Sequence, residues 1–237
     1  MKIIISFLLL GAFLSTTAQD TKKVKTMPLT VHSIGGSYQK FDGLNSRVAG
    51  LPQFKQIKDY TATLGLGWLK EDKGIVTTGT INLGTSMSGN HNEKSSTIRY
   101  GTINLDLGYD LVKSDMVLLY PFVGLGFQRY RAIFYKDNSA VDFDNVLQSA
   151  NVKNSISSVK FNNSFLVYRL GLGFAVQSKK CPGSSIGLQA GYAGSFKNHA
   201  WKSNENQTLG NAPVDKVSQV FANIVFTSTP KFMNGKW

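Results

Sequence analysis

The side chains best suited to catalysis or metal binding are few: His32, His91, His199 and the single Cys181. His32 is followed directly by Ser33. Neighbouring residues on a strand point to opposite faces, so these two do not form a nucleophile–base pair. His91 precedes Asn92-Glu93 and His199 precedes Ala200-Trp201, so any acid–base dyad would have to be assembled from separate segments. One cysteine excludes an internal disulfide, and three scattered histidines offer no zinc-ligand cluster. The expectation is a non-enzymatic protein with no catalytic residue, metal or cofactor. Cys181 falls in a turn-like stretch, where a lone thiol in an oxidising space could cross-link to a partner.

Four charges stand out because they sit in or beside segments that otherwise alternate apolar and small residues: Asp106, Arg129, Arg131 and Arg169. Asp106 and Arg169 share the parity of the small, polar face. They are expected to form a buried ion pair across the strand between them, since charges facing a narrow interior must be paired or solvated. Tyr120, Gln128, Gln189 and Asn223 are expected to satisfy the remaining polar groups. Arg129 and Arg131 fall at the end of one such segment, where an arginine fork suits phosphate groups.

These assignments depend on the elements that carry them, and the pattern is period 2 throughout. In 59–70, Tyr60, Ala62, Leu64, Leu66 and Trp68 face one way, and Thr61, Thr63, Gly65 and Gly67 the other. The same grammar recurs over 30–40, 75–86, 99–109, 117–130, 164–177, 185–196 and 217–227, giving eight one-face-apolar strands. Short connectors near 71–74, 113–115 and 178–183 alternate with long ones at 41–58, 87–96, 131–160 and 197–215. An up-and-down barrel with tight turns on one rim and long loops on the other produces that alternation.

Strand length and composition place the barrel in a membrane. Segments of 11–14 residues exceed the usual strand of about 5–6 and match the roughly 9–11 needed to cross a bilayer. Charged residues are only 17% of the chain, against about 25% in soluble domains. The larger side chains must therefore face lipid and the Gly/Thr/Asn/Gln face the lumen, with Tyr60, Trp68, Tyr100, Tyr109, Tyr130 and Phe196 as interfacial girdles. Residues 1–18 supply an export signal: Lys2, an apolar core from Ile3 to Leu14, and small residues Thr16 and Ala18 before the cleavage point. That core spans about 18 Å, too short for a bilayer of about 30 Å. The expected organisation is signal peptide 1–18, basic segment 19–28, barrel 29–228 and tail 229–237. The formal charge is +12, or +11 once the leader takes Lys2 with it.

The pattern resembles the small eight-stranded outer-membrane barrels, the OmpA transmembrane-domain and OmpX-like group of Gram-negative bacteria. The resemblance spans residues 29–228 and rests on the alternation and a recurring Gly-Leu-Gly-aromatic motif at 65–68, 124–127 and 171–174. The leader and Gln19 start are similar to Bacteroidota exports. The family's C-terminal assembly signal is matched from Gln219 to Phe226, except that Phe221 stands where the family has glycine. Lipid A deacylases of the group place His and Ser two apart on one strand, a pair this sequence lacks.

The resemblance implies a monomeric barrel in the outer membrane, in contact with lipid and lipopolysaccharide and with no nucleic-acid partner. Its role would be structural or accessory, as in a subunit of a larger outer-membrane complex. The alternatives are a narrow porin-like channel, and an adhesin acting through its long loops. Loop 131–160, with the amphipathic run around Phe143, and Trp201 in the last loop are the expected partner contacts, together with Cys181. Loops of this length are usually functional or disordered.

Overall fold

The computed structural model describes residues 28–89, 93–178 and 184–230. The signal peptide, most of the basic segment, His91, Cys181 and the tail beyond Pro230 lie outside the described residues.

Eight antiparallel strands form one closed barrel. They are β1 (Leu29–Gln39), β2 (Tyr60–Asp72), β3 (Ile75–Ser88), β4 (Ser95–Tyr109), β5 (Val117–Tyr135), β6 (Val159–Gln177), β7 (Ser185–Ser195) and β8 (Ser218–Ser228). Each strand pairs with its sequence neighbour, and β1 pairs with β8 from Thr30↔Ser228 to Gln39↔Gln219, which closes the ring. Closure leaves the barrel wall without an open edge.

Alternation sets the faces. In β2, Tyr60, Ala62, Leu64, Leu66 and Trp68 are turned outward, while Thr61, Thr63 and Gly65 are buried inside. Leu64 is 62% exposed and Leu125 on β5 is 55% exposed. The apolar stripe is therefore the outer surface and the polar stripe the core, the reverse of a water-soluble barrel. On β2 the stripe runs from Tyr60 to Trp68, both exposed. Eight steps of about 3.4 Å at a tilt near 40° give about 21 Å along the axis, close to the roughly 25 Å apolar band of membrane barrels.

The turn between β2 and β3 is two residues, Lys73 (φ 52°) and Gly74 (φ 84°), between the paired Asp72 and Ile75. Positive φ at both central positions is the hairpin geometry that matches strand twist, and glycine meets it without a Cβ penalty.

Several boundaries differ from the sequence reading. β5 and β6 are 19 residues each and stay paired out to Phe134↔Val159, so the third long loop shortens to 136–158. That loop holds two short helices, α2 (Phe143–Gln148) and α3 (Ala150–Ile156). The first long loop folds as α1 (Asp42–Ala49). The last loop contains two-residue strands at His199–Ala200, Lys202–Ser203 and Val214–Asp215. Because β4 and β5 run beyond the apolar band, their inward positions continue above it. Tyr100 and Tyr130 occupy such positions and are buried in the interior, so they are not girdle residues. Tyr60, Trp68, Tyr109 and Phe196 do lie on the outer surface.

Candidate functional site

The interior is built in layers. At the turn end, Val31, Leu69, Val76 and Tyr120 make an apolar layer. Above it, Asp106 on β4 and Arg169 on β6 lie on either side of Gly124 on β5, which is the cross-strand partner of both. Arg169 Nε donates to Asp106 Oδ1 at 2.9 Å, and both side chains are buried. A Cβ on Gly124 would run into the Asp106 carboxylate, so the glycine makes room for the pair.

Thr78 Oγ1 donates to Asp106 Oδ2 at 3.4 Å. The Arg169 guanidinium lies 4.7 Å from the Phe221 ring centroid and 6.0 Å from that of Phe122, a spacing suited to cation–π attraction. Phe221 replaces the glycine of the resembling family, and its ring fills the lumen over the arginine. Of the residues expected to satisfy the remaining polar groups, Gln128 and Asn223 bond to other side chains of the lumen. Gln128 donates to Gln219 Oε1 and accepts from Tyr130, and the Asn223 carbonyl accepts from Thr63. Tyr120 packs 6.2 Å from Phe122, ring to ring. Thr78 shares the inward parity, and that parity is the signal that marks it as a partner of Asp106.

A hydrogen-bonded layer follows. The Gln219 amide donates to Ser37 Oγ at 2.8 Å, Ser37 and Thr61 hydroxyls meet at 2.6 Å, and Tyr130 Oη also lies 2.6 Å from the Gln39 side-chain amide. The voids left between these layers are only about 10 and 20 Å³, each room for about one water.

The loop end is capped. Phe41, Leu44 and Val48 of the α1 segment pack with Ile57, Trp201 and Val217 onto Tyr130, Phe134 and Phe165. Asp215 fastens this cap: its carboxylate accepts from the Gly43 and Leu44 amides at 2.7 and 3.0 Å and from Trp201 Nε1 at 2.7 Å. It thereby serves donors that the first turn of α1 cannot bond within the helix. Trp201 is 1% exposed, so the expectation that it presents itself to a partner is corrected: its indole is consumed in sealing the mouth. Asp215 and α1 were not legible, because a single acid between Val214 and Lys216 carries no periodic signal.

The outer rim is different. Arg129 and Arg131 are exposed on the outward face of β5, directly beyond Phe127. Arg99 on β4 is the cross-strand partner of Arg131. Arg131 Nε donates to Asn162 Oδ1 at 3.2 Å. Sequence reading named two of these arginines and missed Arg99, although its parity with Ile103 marked it as outward.

Phe143 is 72% exposed at the start of α2, with Leu147 equally bare. His32 is exposed on the outer wall between Leu66 and Phe226, and the His199 ring lies 5.5 Å from Phe165. Among the described residues, no group of three or more His, Cys, Asp or Glu side chains is placed to hold a metal ion.

No family model matches the chain, and no characterised protein matches it in sequence. Solved structures do match in fold. Ail, the attachment invasion locus protein of Yersinia pestis, is 16% identical, with 84% of this chain and 97% of that one covered and a TM-score of 0.46. A major outer membrane protein from Thermus thermophilus is 10% identical, with 84% and 98% covered and a TM-score of 0.48.

Proposed function

We propose that this chain is an outer-membrane β-barrel whose lumen does not conduct, with a structural or accessory role performed at its outer surface and long loops. The observation that carries the reading is the combination of an apolar outer wall with an interior packed shut through its middle layers and loop end, a cavity of about 50 Å³ being left at the turn end. An apolar surface on all eight strands far exceeds the few hundred Å² that soluble monomers tolerate, and a closed barrel is the only β-structure that satisfies its backbone in lipid. Eight strands enclose just enough space for side chains to fill. Here an ion pair, a glutamine–tyrosine layer and a loop cap fill it, which weighs against a pore.

Insertion and conductance test this together. The protein folded into phosphatidylcholine vesicles should resist protease across the strands and migrate faster on a gel unheated than heated. In planar bilayers it should give no discrete current steps. Stable steps would sink the non-conducting reading, and failure to insert would sink the membrane reading. A second role, adhesion, is favoured by one observation: Phe143 and Leu147 stand uncovered on α2, in a loop outside the apolar wall. Two exposed apolar side chains flanked by Asp142 and Asp144 suit a protein contact at the cell surface.

A further inference from the structure

Exposed cations follow the outward row at several points of the loop rim, such as Lys40 after Tyr38 and Lys58 before Tyr60, but on the adjacent β4 and β5 they are three arginines side by side. On β5 the outward sequence runs Val123, Leu125, Phe127, then Arg129 and Arg131; on β4 it runs Leu105, Ile103, Gly101, then Arg99. The change from hydrocarbon to guanidinium takes a single outward step on β5 and two on β4, so these groups sit at the headgroup level of the outer leaflet. Arg99 and Arg131 are directly opposite each other, an arrangement of like charges that disfavours the sheet unless an anion lies between them. Among the described residues no carboxylate forms an ion pair with Arg99, Arg129 or Arg131. The one ion pair described there, Asp106–Arg169, is inside the barrel.

Beside this row is a surface groove of about 370 Å³, floored by Phe127 and walled by Arg129, Lys202, His199 and the amides of Asn162 and Asn206. Lys202 reaches it because its short strand pairs with Phe161 and Asn162 along the edge of β6 beyond the end of β7. Asn162 itself is fixed by donating to the Ser203 and Asn204 carbonyls at 3.4 and 3.1 Å. The groove thus offers the Arg129 fork and the Lys202 ammonium for phosphate oxygens, the exposed Asn206 amide for a sugar hydroxyl, and an aromatic surface continuous with the acyl layer.

We infer that the Arg99–Arg129–Arg131–Lys202 face is a binding site for the phosphate groups of an outer-leaflet glycolipid, the chemistry that lipopolysaccharide carries. The assignment rests on the membrane reading above, since only insertion puts this row at headgroup depth. The anion sits between Arg99 and Arg131, relieving their repulsion, and its sugar lies in the groove toward Asn206.

The test uses the full chain in phosphatidylcholine vesicles, with and without lipid A bearing both phosphates, and with lipid A stripped of phosphate. Bound lipid is read by native mass spectrometry and by the unfolding midpoint. Phosphorylated lipid A should bind and raise the midpoint, while the stripped form should do neither. Arg129→Gln with Arg131→Gln should weaken binding by about tenfold or more, the loss expected for charge-assisted contacts. Arg131→Lys should fall between, and Lys153→Gln on α3 should match the parent. Gel migration before and after heating reports whether each variant has folded. Equal binding of the stripped lipid, or undiminished binding by the folded double variant, overturns the assignment. Competition by inorganic phosphate at concentrations comparable to the lipid would reassign the site to a soluble anion and overturn the lipid source. Insertion into plain phosphatidylcholine is scored separately, so its failure would count against the barrel reading and not against the site alone.

Discussion

Asp106 and Arg169 show how a single buried pair acquires weight. Neither could remain charged alone in the lumen; together, with Thr78 on the second carboxylate oxygen and Phe221 over the guanidinium, they form a closed unit. Asp106→Asn should destabilise the barrel by about 3–5 kcal/mol, because it leaves a buried arginine without its counter-charge. Asp106→Leu combined with Arg169→Met should restore most of that loss, since apolar replacement of both partners is often neutral or better. Urea unfolding in vesicles, followed by tryptophan fluorescence, distinguishes the two; equal losses from single and double variants would refute the pairing argument. Outside the membrane, the Asp137 carboxyl is held below the ordinary carboxylate range by the Ser139 hydroxyl and backbone N–H, which donate at 2.7 and 2.9 Å. A depressed value means that this loop contact is complete above the unfolded carboxylate's pKa and is lost as pH falls through the folded one. Ser139→Ala should move the Asp137 midpoint upward in an NMR titration.

Among the elements, the eight strands and the loop-end cap differ in how they can be read and in how they can fail. The cap depends on Asp215, which joins α1 to the last loop across a sequence separation of 172 residues. Asp215→Asn replaces one acceptor oxygen with a donor that faces other donors. Charge-assisted hydrogen bonds contribute about 1.5–3 kcal/mol each, so amide exchange at Gly43 and Leu44 should rise by about tenfold or more while the strand amides stay protected. Unchanged exchange at those two amides would show that Asp215 does not hold the cap. The strands were legible because period 2 is written into every one of them, and the Asp106–Arg169 juxtaposition followed from parity alone. Two further outcomes were written in the same parity but were hidden by an assumption about strand length. Tyr100 and Tyr130 share the inward parity of Asp106 and Gln128, yet reading the strands as ending at the bilayer turned them into girdle residues. The cap was not legible: α1 buries only Leu44 and Val48 of its own residues, so its place is set by contacts with Trp201 and Val217 that no local pattern encodes.

At the scale of the whole molecule, the outer wall and the filled interior make separate demands, and each can be broken without the other. Leu125→Arg puts a charge in the middle of the apolar wall and should cost about 2–4 kcal/mol, whereas the same change at a band edge costs about 0–1. Neither change touches the lumen, so neither should alter conductance. The interior is sealed twice, by the cap at the loop end and by the ion-pair and aromatic layers below it. Replacing residues 42–49 with a Gly/Ser segment removes the helix of the cap but leaves Asp106, Arg169, Phe122, Phe221 and Tyr120 in place. Gly171 and Gly173 on β6 each leave the space that an inward ring from β5 occupies, Phe122 and Tyr120 respectively, so the lower rings cannot swing aside without meeting the wall. Voids of about 10 to 20 Å³ admit isolated waters and not a hydrated ion. The cap-replaced protein should therefore stay silent in planar bilayers even though its mouth is open. Current steps in that variant alone would mean that the loop is the only seal, and the lower layers would have to be re-read as a gate.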